Sequence, residues 1–209
     1  MDLAIYEENK KYIESDEHKR NLVTVLQHHS TPIIITQACM TGNNYKDIMQ
    51  SDSDRGKNIQ DIEAIRKMIK GASRNNKIIV VKKILRDLEL KEFILAKLDK
   101  DQSFPLYCFL STYYDPNDNI PTNHDVILEI IVPENFPFLY IGENHPNKPE
   151  NIEKNEIVLC DEDSEGNKYI FVLEEKKVLN IKGKNITQYL LKMECATSNA
   201  SIFVREKSY

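Results

Sequence analysis

Tryptophan is absent from the chain, and glycine and cysteine are scarce, with six and four residues among 209. The scarcity of glycine leaves no glycine-rich phosphate loop. The cysteines form no Cys-x-x-Cys pair, which argues against a zinc knuckle or a disulfide scaffold and favours free thiols in a reducing compartment. No apolar run is long enough to span a bilayer. We therefore expect a soluble protein with no membrane partner.

A secretory signal is also lacking, because residues 1–20 have neither a basic start nor a continuous apolar segment. We expect the protein to act in a cytosol, that of the producing cell or that of a host cell. The net charge of −5 gives no basic footprint for phosphate contacts, which disfavours nucleic acid as a standing partner. Length and composition are ordinary for one globular domain.

Helical periodicity dominates the first third of the chain. Apolar residues recur between 2 and 30, and Ser15-Asp16-Glu17 offers a helix start in the middle, which predicts two helices or one broken helix. A helical turn is expected at 45–49. Apolar residues spaced three and four apart between 59 and 69 predict an amphipathic helix that stops near Gly71.

The chain changes character at residue 77. The run KIIVVKKIL is rich in β-branched residues and predicts a strand, whereas RDLELKEFILAKLDK returns to a helical period. Helices followed by strands indicate an α+β fold, in which an N-terminal helical part (1–76) packs on a β-rich, mostly antiparallel core (77–209) to form one domain. Further strands are predicted at 105–112, 124–132, 137–141, 155–160, 168–174, 177–182 and 188–194.

Several of these strands carry an ordered set of polar signals. The stretch CFLSTYYD has a Ser-Thr pair at the end of an apolar run, and two more apolar runs follow in ILEIIVPENFPFLYIG. A polar loop follows and ends at Glu156, which begins the strand predicted in EKNEIVLC. This order points to a site as well as to a fold.

The block resembles the mono-ADP-ribosyltransferases of the toxin and ecto-enzyme type, whose motifs come in the order Arg, Ser-Thr-Ser and Glu/Gln-x-Glu. The resemblance covers roughly 41–172 and is best from 109 to 159, with IIVVKKIL at the place of the Arg strand. It implies a split-sheet core, NAD as the substrate that donates ADP-ribose, and a macromolecular acceptor, as in a toxin or effector.

The resemblance assigns roles to matching residues. Glu156 takes the place of the catalytic Glu, whose carboxylate stabilises the oxocarbenium-like state formed when nicotinamide leaves ribose. Ser111 matches the first Ser, which orients that Glu and lines the nicotinamide pocket. Thr112 is expected to back the strand pair beside the cofactor. Phe138 or Phe136 is expected to line the nicotinamide side, with core packing as the alternative.

The chain departs from the family pattern at three positions. Lys82 stands where the diphosphate-binding Arg is expected, and lysine lacks the planar fork that grips two oxygens. Arg86 could instead reach the diphosphate, and Lys82 could be an exposed strand end. Tyr113 replaces the third Ser of the motif. Lys154 occupies the acceptor-side position of the catalytic motif, where the family has Glu or Gln.

Lys154 bears on the choice of acceptor, because its charge would repel a guanidinium. An arginine acceptor is therefore disfavoured, unless a bulge brings Glu153 to that face. We expect a protein acceptor, with a nucleic acid or another phosphate-bearing molecule as the alternative. The loop 142–155 takes the place of the acceptor-recognition loop and holds no aromatic residue, so His145 is its nearest substitute.

Two other functions compete with the transferase. A catalytically impaired protein with this fold would act as a binding module or inhibitor. An NAD glycohydrolase would release nicotinamide without an acceptor. Asp161–Gly166 opens like a calcium loop, but Val172 stands where a bidentate Glu is required, so a hairpin turn is expected there.

Overall fold

The computed structural model describes residues 3–27, 55–72, 74, 77–85, 88–105, 109–114, 124–141 and 156–196. These residues form helices and a sheet in the order that the α+β prediction requires, and that fold class is confirmed. The elements are α1 (Leu3–Glu14), α2 (Glu17–Gln27), α3 (Arg55–Gly71), β1 (Ile79–Ile84), α4 (Leu88–Asp101), β2 (Ser103–Pro105), β3 (Phe109–Tyr113), β4 (Val126–Val132), β5 (Phe138–Tyr140), β6 (Glu156–Cys160), β7 (Tyr169–Ile181) and β8 (Lys184–Cys195).

The break between α1 and α2 lies at the predicted cap. Asp16 Oδ1 accepts a hydrogen bond from His18 N at 2.8 Å, which satisfies one of the free amides at the start of α2. The helix α3 ends at Gly71 as predicted, and a Cβ there would lie 2.6 Å from Tyr12 Oη. Glycine therefore leaves room for the Tyr12 hydroxyl where α1 approaches α3, and a larger residue would have to displace it. The helical turn expected at 45–49 lies outside the described residues.

Hydrogen bonds connect the eight strands in the order β2-β7-β8-β4-β1-β3-β6-β5. Neighbours are antiparallel except β4 and β8, which are parallel. The strands predicted at 168–174 and 177–182 are one strand, β7, because residues 175 and 176 pair with β8 directly after a bulge between Leu173 and Glu175. The run predicted at 105–112 is divided between β2 and β3.

Different helices cover the two faces of the sheet. Successive side chains of a strand point to opposite faces, so β3 and β6 contribute to two separate cores. On one face Phe109, Val158 and Cys160 pack with apolar residues of α1, α2 and α3. On the other face Leu110, Ile157 and Leu159 pack in a core that includes Leu90, Ile94 and Leu98 of α4. No helix in the described part of the chain has the length and apolar character needed to cross a membrane.

A charged cluster joins α3 to the end of β6. Asp161 is almost fully buried and accepts hydrogen bonds from Arg66 Nη2 at 2.8 Å and from Lys168 Nζ at 2.6 Å. Glu162 is paired with Lys70 Nζ at 2.6 Å and with Lys168 Nζ at 2.7 Å. Burial opposes ionisation of Glu162, but hydrogen bonds from Lys168 and Lys70 outweigh it and lower its pKa from 4.5 to about 2.

The segment that opens like a calcium loop is a turn, closed by an isolated antiparallel bridge between Glu162 and Lys168. Asp163 Oδ1 accepts hydrogen bonds from the backbone amides of Glu165 at 2.9 Å and Asn167 at 3.0 Å. Gly166 has a φ of 88°, which glycine adopts without strain. Two cysteines lie in the described ranges, and neither forms a disulfide there, with Cys160 buried and Cys195 half-buried.

The lowered pKa of Glu162 predicts a loss of stability in acid. A carboxylate with a depressed pKa contributes stability that is fully present above its unfolded pKa, 4.5, and is lost as the pH falls toward 2. We expect Glu162→Gln to lower the free energy of unfolding at pH 7 by on the order of 2 kcal/mol. Urea titrations between pH 7 and pH 2.5 measure the difference.

The difference between wild type and Glu162→Gln should shrink across this range, because Glu162 of the unfolded wild-type chain binds a proton below pH 4.5 whereas the folded chain resists it. Glu165→Gln is the matched control, since Glu165 is exposed in the same turn, and it should change stability by less than about 0.5 kcal/mol. If the difference in free energy of unfolding between wild type and Glu162→Gln stays constant with pH, the lowered pKa of Glu162 is contradicted.

Candidate active site

Four adjacent strands place polar side chains side by side on one face of the sheet. Glu156 of β6 pairs with Tyr113 of β3, and Tyr113 pairs on its other side with Lys82 of β1. Lys82 pairs in turn with Glu129 of β4. Directly paired residues point to the same face. We call Glu156, Tyr113, Lys82 and Glu129 the polar row; its first and third members are two strand spacings apart, roughly 10 Å between backbones.

Ser111 contacts the carboxylate at the end of this row. It lies two residues before Tyr113 and therefore shares its face. Ser111 Oγ donates a hydrogen bond to Glu156 Oε1 at 2.5 Å. Ser111 is exposed and Glu156 is half-buried. A neutral hydroxyl thus holds one carboxylate oxygen at a surface that a ligand can reach.

The contact lies where the helix-covered core gives way to solvent. Farther along the same face, Phe109 and Val158 are buried under α1, α2 and α3. Glu156 begins β6, and its carbonyl oxygen accepts a hydrogen bond from Ile141 N at 2.9 Å, just after β5. The strands β3 and β5 on either side and the packed residues farther along the face therefore hold the backbone of Glu156 in a fixed place.

Thr112 points to the opposite face from Ser111. It is buried, and its Oγ1 donates a hydrogen bond to the carbonyl oxygen of Ile157 at 2.8 Å. This bond ties β3 to β6 from behind. The structure does not bring Thr112 to the surface that carries Ser111 and Glu156, so it supports that surface without contacting a ligand there.

Lys82 lies inside the polar row. Its side chain is 4% exposed, and its Nζ is 3.5 Å from Glu129 Oε1. The alternative interpretation of Lys82 as an exposed strand end is therefore wrong. Its position in the row brings a positive charge to the same face as Glu156, although the half-buried carboxylate of Glu129 already faces the ammonium.

Phe138 does not line this face. Its side chain is fully buried in the core that α4 covers, and its partner in β6 is Leu159, which belongs to the same core. Phe136 is also buried there, with its ring 4.8 Å from that of Tyr169. The expected contact of Phe138 with the cofactor is wrong, because the alternation along β5 turns it away from Glu156.

Other predicted site residues lie outside the described residues, namely Arg86, His145, Glu153 and Lys154 with the rest of the loop 142–155. The residue that the sequence interpretation missed is Glu129. It is the one charged residue in the apolar strand VILEIIV, and a charge on such a strand is a signal that could have drawn attention to it.

Solved ADP-ribosyltransferase toxins have similar structures. C3larvin toxin, an ADP-ribosyltransferase from Paenibacillus larvae, has a TM-score of 0.62 at 13% sequence identity, covering 90% of this chain and 93% of that chain. Plx2a, an ADP-ribosyltransferase toxin from the same species, has a TM-score of 0.61 at 15% identity, with coverages of 90% and 92%.

A third similar structure is longer than this chain. BECa, an ADP-ribosylating toxin of a binary enterotoxin of C. perfringens that was solved with NADH, has a TM-score of 0.61 at 14% identity and covers 96% of this chain and 49% of that one. Neither a protein-family model nor a curated protein matches the sequence. At such low sequence identities the similarity shows a shared fold. The family resemblance seen in the motifs is therefore confirmed for the fold. The chain has the fold of the ADP-ribosyltransferase toxins.

Proposed function

We propose that the protein is a mono-ADP-ribosyltransferase that transfers ADP-ribose from NAD to a macromolecular acceptor. The observation that carries the proposal is the hydrogen bond from Ser111 Oγ to Glu156 Oε1 at 2.5 Å. It joins the two motif residues that the resemblance assigns to catalysis in a chain that has the ADP-ribosyltransferase fold, and Ser111 is exposed there. A soluble toxin or effector that acts in a cytosol fits this activity.

The chemistry requires a fixed negative charge beside the nicotinamide ribose. When the bond between nicotinamide and ribose breaks, its electron pair leaves with nicotinamide and positive charge develops on the ribose. The carboxylate of Glu156 stabilises that charge and accepts a hydrogen bond from a ribose hydroxyl. Ser111 fixes the rotamer of Glu156, so that little reorganisation is needed as the charge develops.

The positive charge of Lys82 in the polar row suits the diphosphate of NAD. Lys82 lies two strands from Glu156 on the same face, and its ammonium would neutralise part of the diphosphate as a point charge. Lysine grips a diphosphate less specifically than arginine does. Tyr113 lies between the two charged residues and would form the floor beneath the ribose.

One observation favours the binding-module alternative. The ammonium of Lys82 is 3.5 Å from Glu129 Oε1, so its charge is partly compensated before any diphosphate arrives. A protein with low affinity for NAD would keep the fold and could use its surface to bind a partner. The glycohydrolase alternative shares Glu156 and Ser111, and it differs in releasing nicotinamide without labelling an acceptor.

The decisive variant for the transferase is Glu156→Gln, which keeps the hydrogen-bonding shape and removes the charge. With labelled NAD and a cell extract, we expect wild type to label an extract component and Glu156→Gln to lose at least about a hundredfold in rate, because the transition-state charge loses its partner. Glu165→Gln has the same charge change far from the row and should retain full activity.

Three results separate the candidate functions. Nicotinamide release together with a labelled macromolecule supports the transferase. Nicotinamide release without label supports the glycohydrolase. If wild type neither releases nicotinamide nor labels the extract, the transferase and the glycohydrolase are both contradicted. The binding module is then the function that fits.

Ser111 and Thr112 should respond in opposite ways to substitution. We expect Ser111→Ala to lower kcat by about ten- to a hundredfold with a change in stability below about 0.5 kcal/mol, because its hydroxyl is exposed and serves Glu156. Thr112→Val removes a buried hydrogen bond and should cost about 1 kcal/mol of stability with kcat within about twofold. Urea titration and nicotinamide release measure both. Equal losses of kcat in the two variants would contradict the division of roles.

The acceptor proposal excludes free guanidinium groups. Lys154 at the acceptor-side position of the motif would repel a guanidinium, so we expect agmatine to accept no ADP-ribose from labelled NAD. The same reaction run with the cell extract is the positive control. Labelled agmatine, at a rate comparable to that of the extract component, would contradict the proposal.

A further inference from the structure

We infer that Glu129 is an internal competitor for Lys82 that sets the affinity of the site for dinucleotide. This inference rests on the NAD site of the proposed function. The carboxylate of Glu129 pairs with the ammonium of Lys82 and competes there with the diphosphate of NAD. Glu129 is thus a residue that tunes affinity, and it takes no part in breaking the bond to nicotinamide.

The geometry places Glu129 beside Lys82 and away from Glu156. The two residues are direct cross-strand partners of β4 and β1, and Nζ lies 3.5 Å from Oε1. Glu129 is the last member of the polar row, so Tyr113 and Lys82 separate it from the catalytic carboxylate. It lies next to the place where the diphosphate is expected, on the far side from the reacting ribose.

The burial of the pair makes the competition strong. The side chains of Lys82 and Glu129 are 4% and 16% exposed, so water screens their attraction poorly. Together the two charges sum to zero, and the pair offers an incoming diphosphate little net attraction. A bound diphosphate would also lie close to the carboxylate, and two anions sharing one ammonium repel each other.

The sequence around Glu129 indicates that hydrophobic packing does not explain a glutamate at this position of β4. The other six residues of VILEIIV are apolar, and Glu129 is the one whose charge must be compensated. Placing a charge in such a strand costs desolvation free energy. Departures of this kind from the local pattern concentrate at functional sites.

Removing the competitor should tighten nucleotide binding. For Glu129→Gln we expect the KM for NAD in nicotinamide release to fall about tenfold, which corresponds to ~1.4 kcal/mol, with kcat unchanged. In the Lys82→Ala background the same substitution should lower the KM by clearly less than tenfold, because the ammonium for which the carboxylate competes is gone and only the repulsion between the two anions is relieved. The NAD-free Glu129→Gln protein should melt several degrees lower than wild type, since the ion pair between Glu129 and Lys82 is lost.

Asp99→Asn is the matched control. It makes the same change in net charge on α4, which covers the other face of the sheet, and it removes an acid that pairs with Lys176 at 3.1 Å. We expect this variant to keep the wild-type KM. Circular dichroism confirms the fold of each variant before the comparison.

Titration with ADP separates this inference from the proposed function, because ADP carries the diphosphate and no bond to nicotinamide. An ADP Kd that falls about tenfold in Glu129→Gln and not in Asp99→Asn supports the competitor even if no variant releases nicotinamide, a result that would overturn the transferase. Nicotinamide release by wild type with a KM that is unchanged or higher in Glu129→Gln overturns the competitor alone. Absence of both ADP binding and nicotinamide release in every variant overturns both.

Discussion

The antiparallel register between β3 and β6 brings Ser111 and Glu156 into contact, and the site depends on it. Tyr113 is paired with Glu156 and Ser111 with Val158, so the hydroxyl reaches the carboxylate diagonally. A slip of one residue along β6 would turn Glu156 toward the core that α4 covers. Burying that charge without a partner costs several kcal/mol, and the apolar residues on both faces therefore fix the register that the chemistry needs.

The same alternation sorts neighbouring residues into different tasks. Ser111 faces the accessible side, whereas Thr112 is buried and binds the carbonyl oxygen of Ile157. Farther along, the charged cluster around Asp161 and Glu162 fastens the end of β6 to α3. A catalytic carboxylate is most effective when it cannot relax away from the developing charge. The strand that carries Glu156 is held at both ends and on both faces.

The sequence predicted the features that depend on local pattern. Alternating and helical periodicities located the helices and most strands, and the order of the Ser-Thr pair and Glu156 located one side of the site. The sequence could not show that Phe138 lies on the face opposite Glu156, because both faces of β5 are buried and the register with β6 decides which residue points to which core. Nor could it pair Lys82 with Glu129, which are distant in the chain and meet through the register of β1 and β4. The long strand β7 was divided in the prediction because a bulge and an interruption look alike in sequence.

The central claim is that the polar row binds NAD with its nicotinamide ribose at Glu156 and its diphosphate at Lys82. A crystal structure of the Glu156→Gln variant with NAD tests it most directly, because slow turnover would keep the dinucleotide intact. We expect a ribose hydroxyl within hydrogen-bonding distance of the substituted side chain at position 156 and a diphosphate oxygen within about 3 Å of Lys82 Nζ. NAD bound away from this face, or bound with its diphosphate at position 156, would contradict the account.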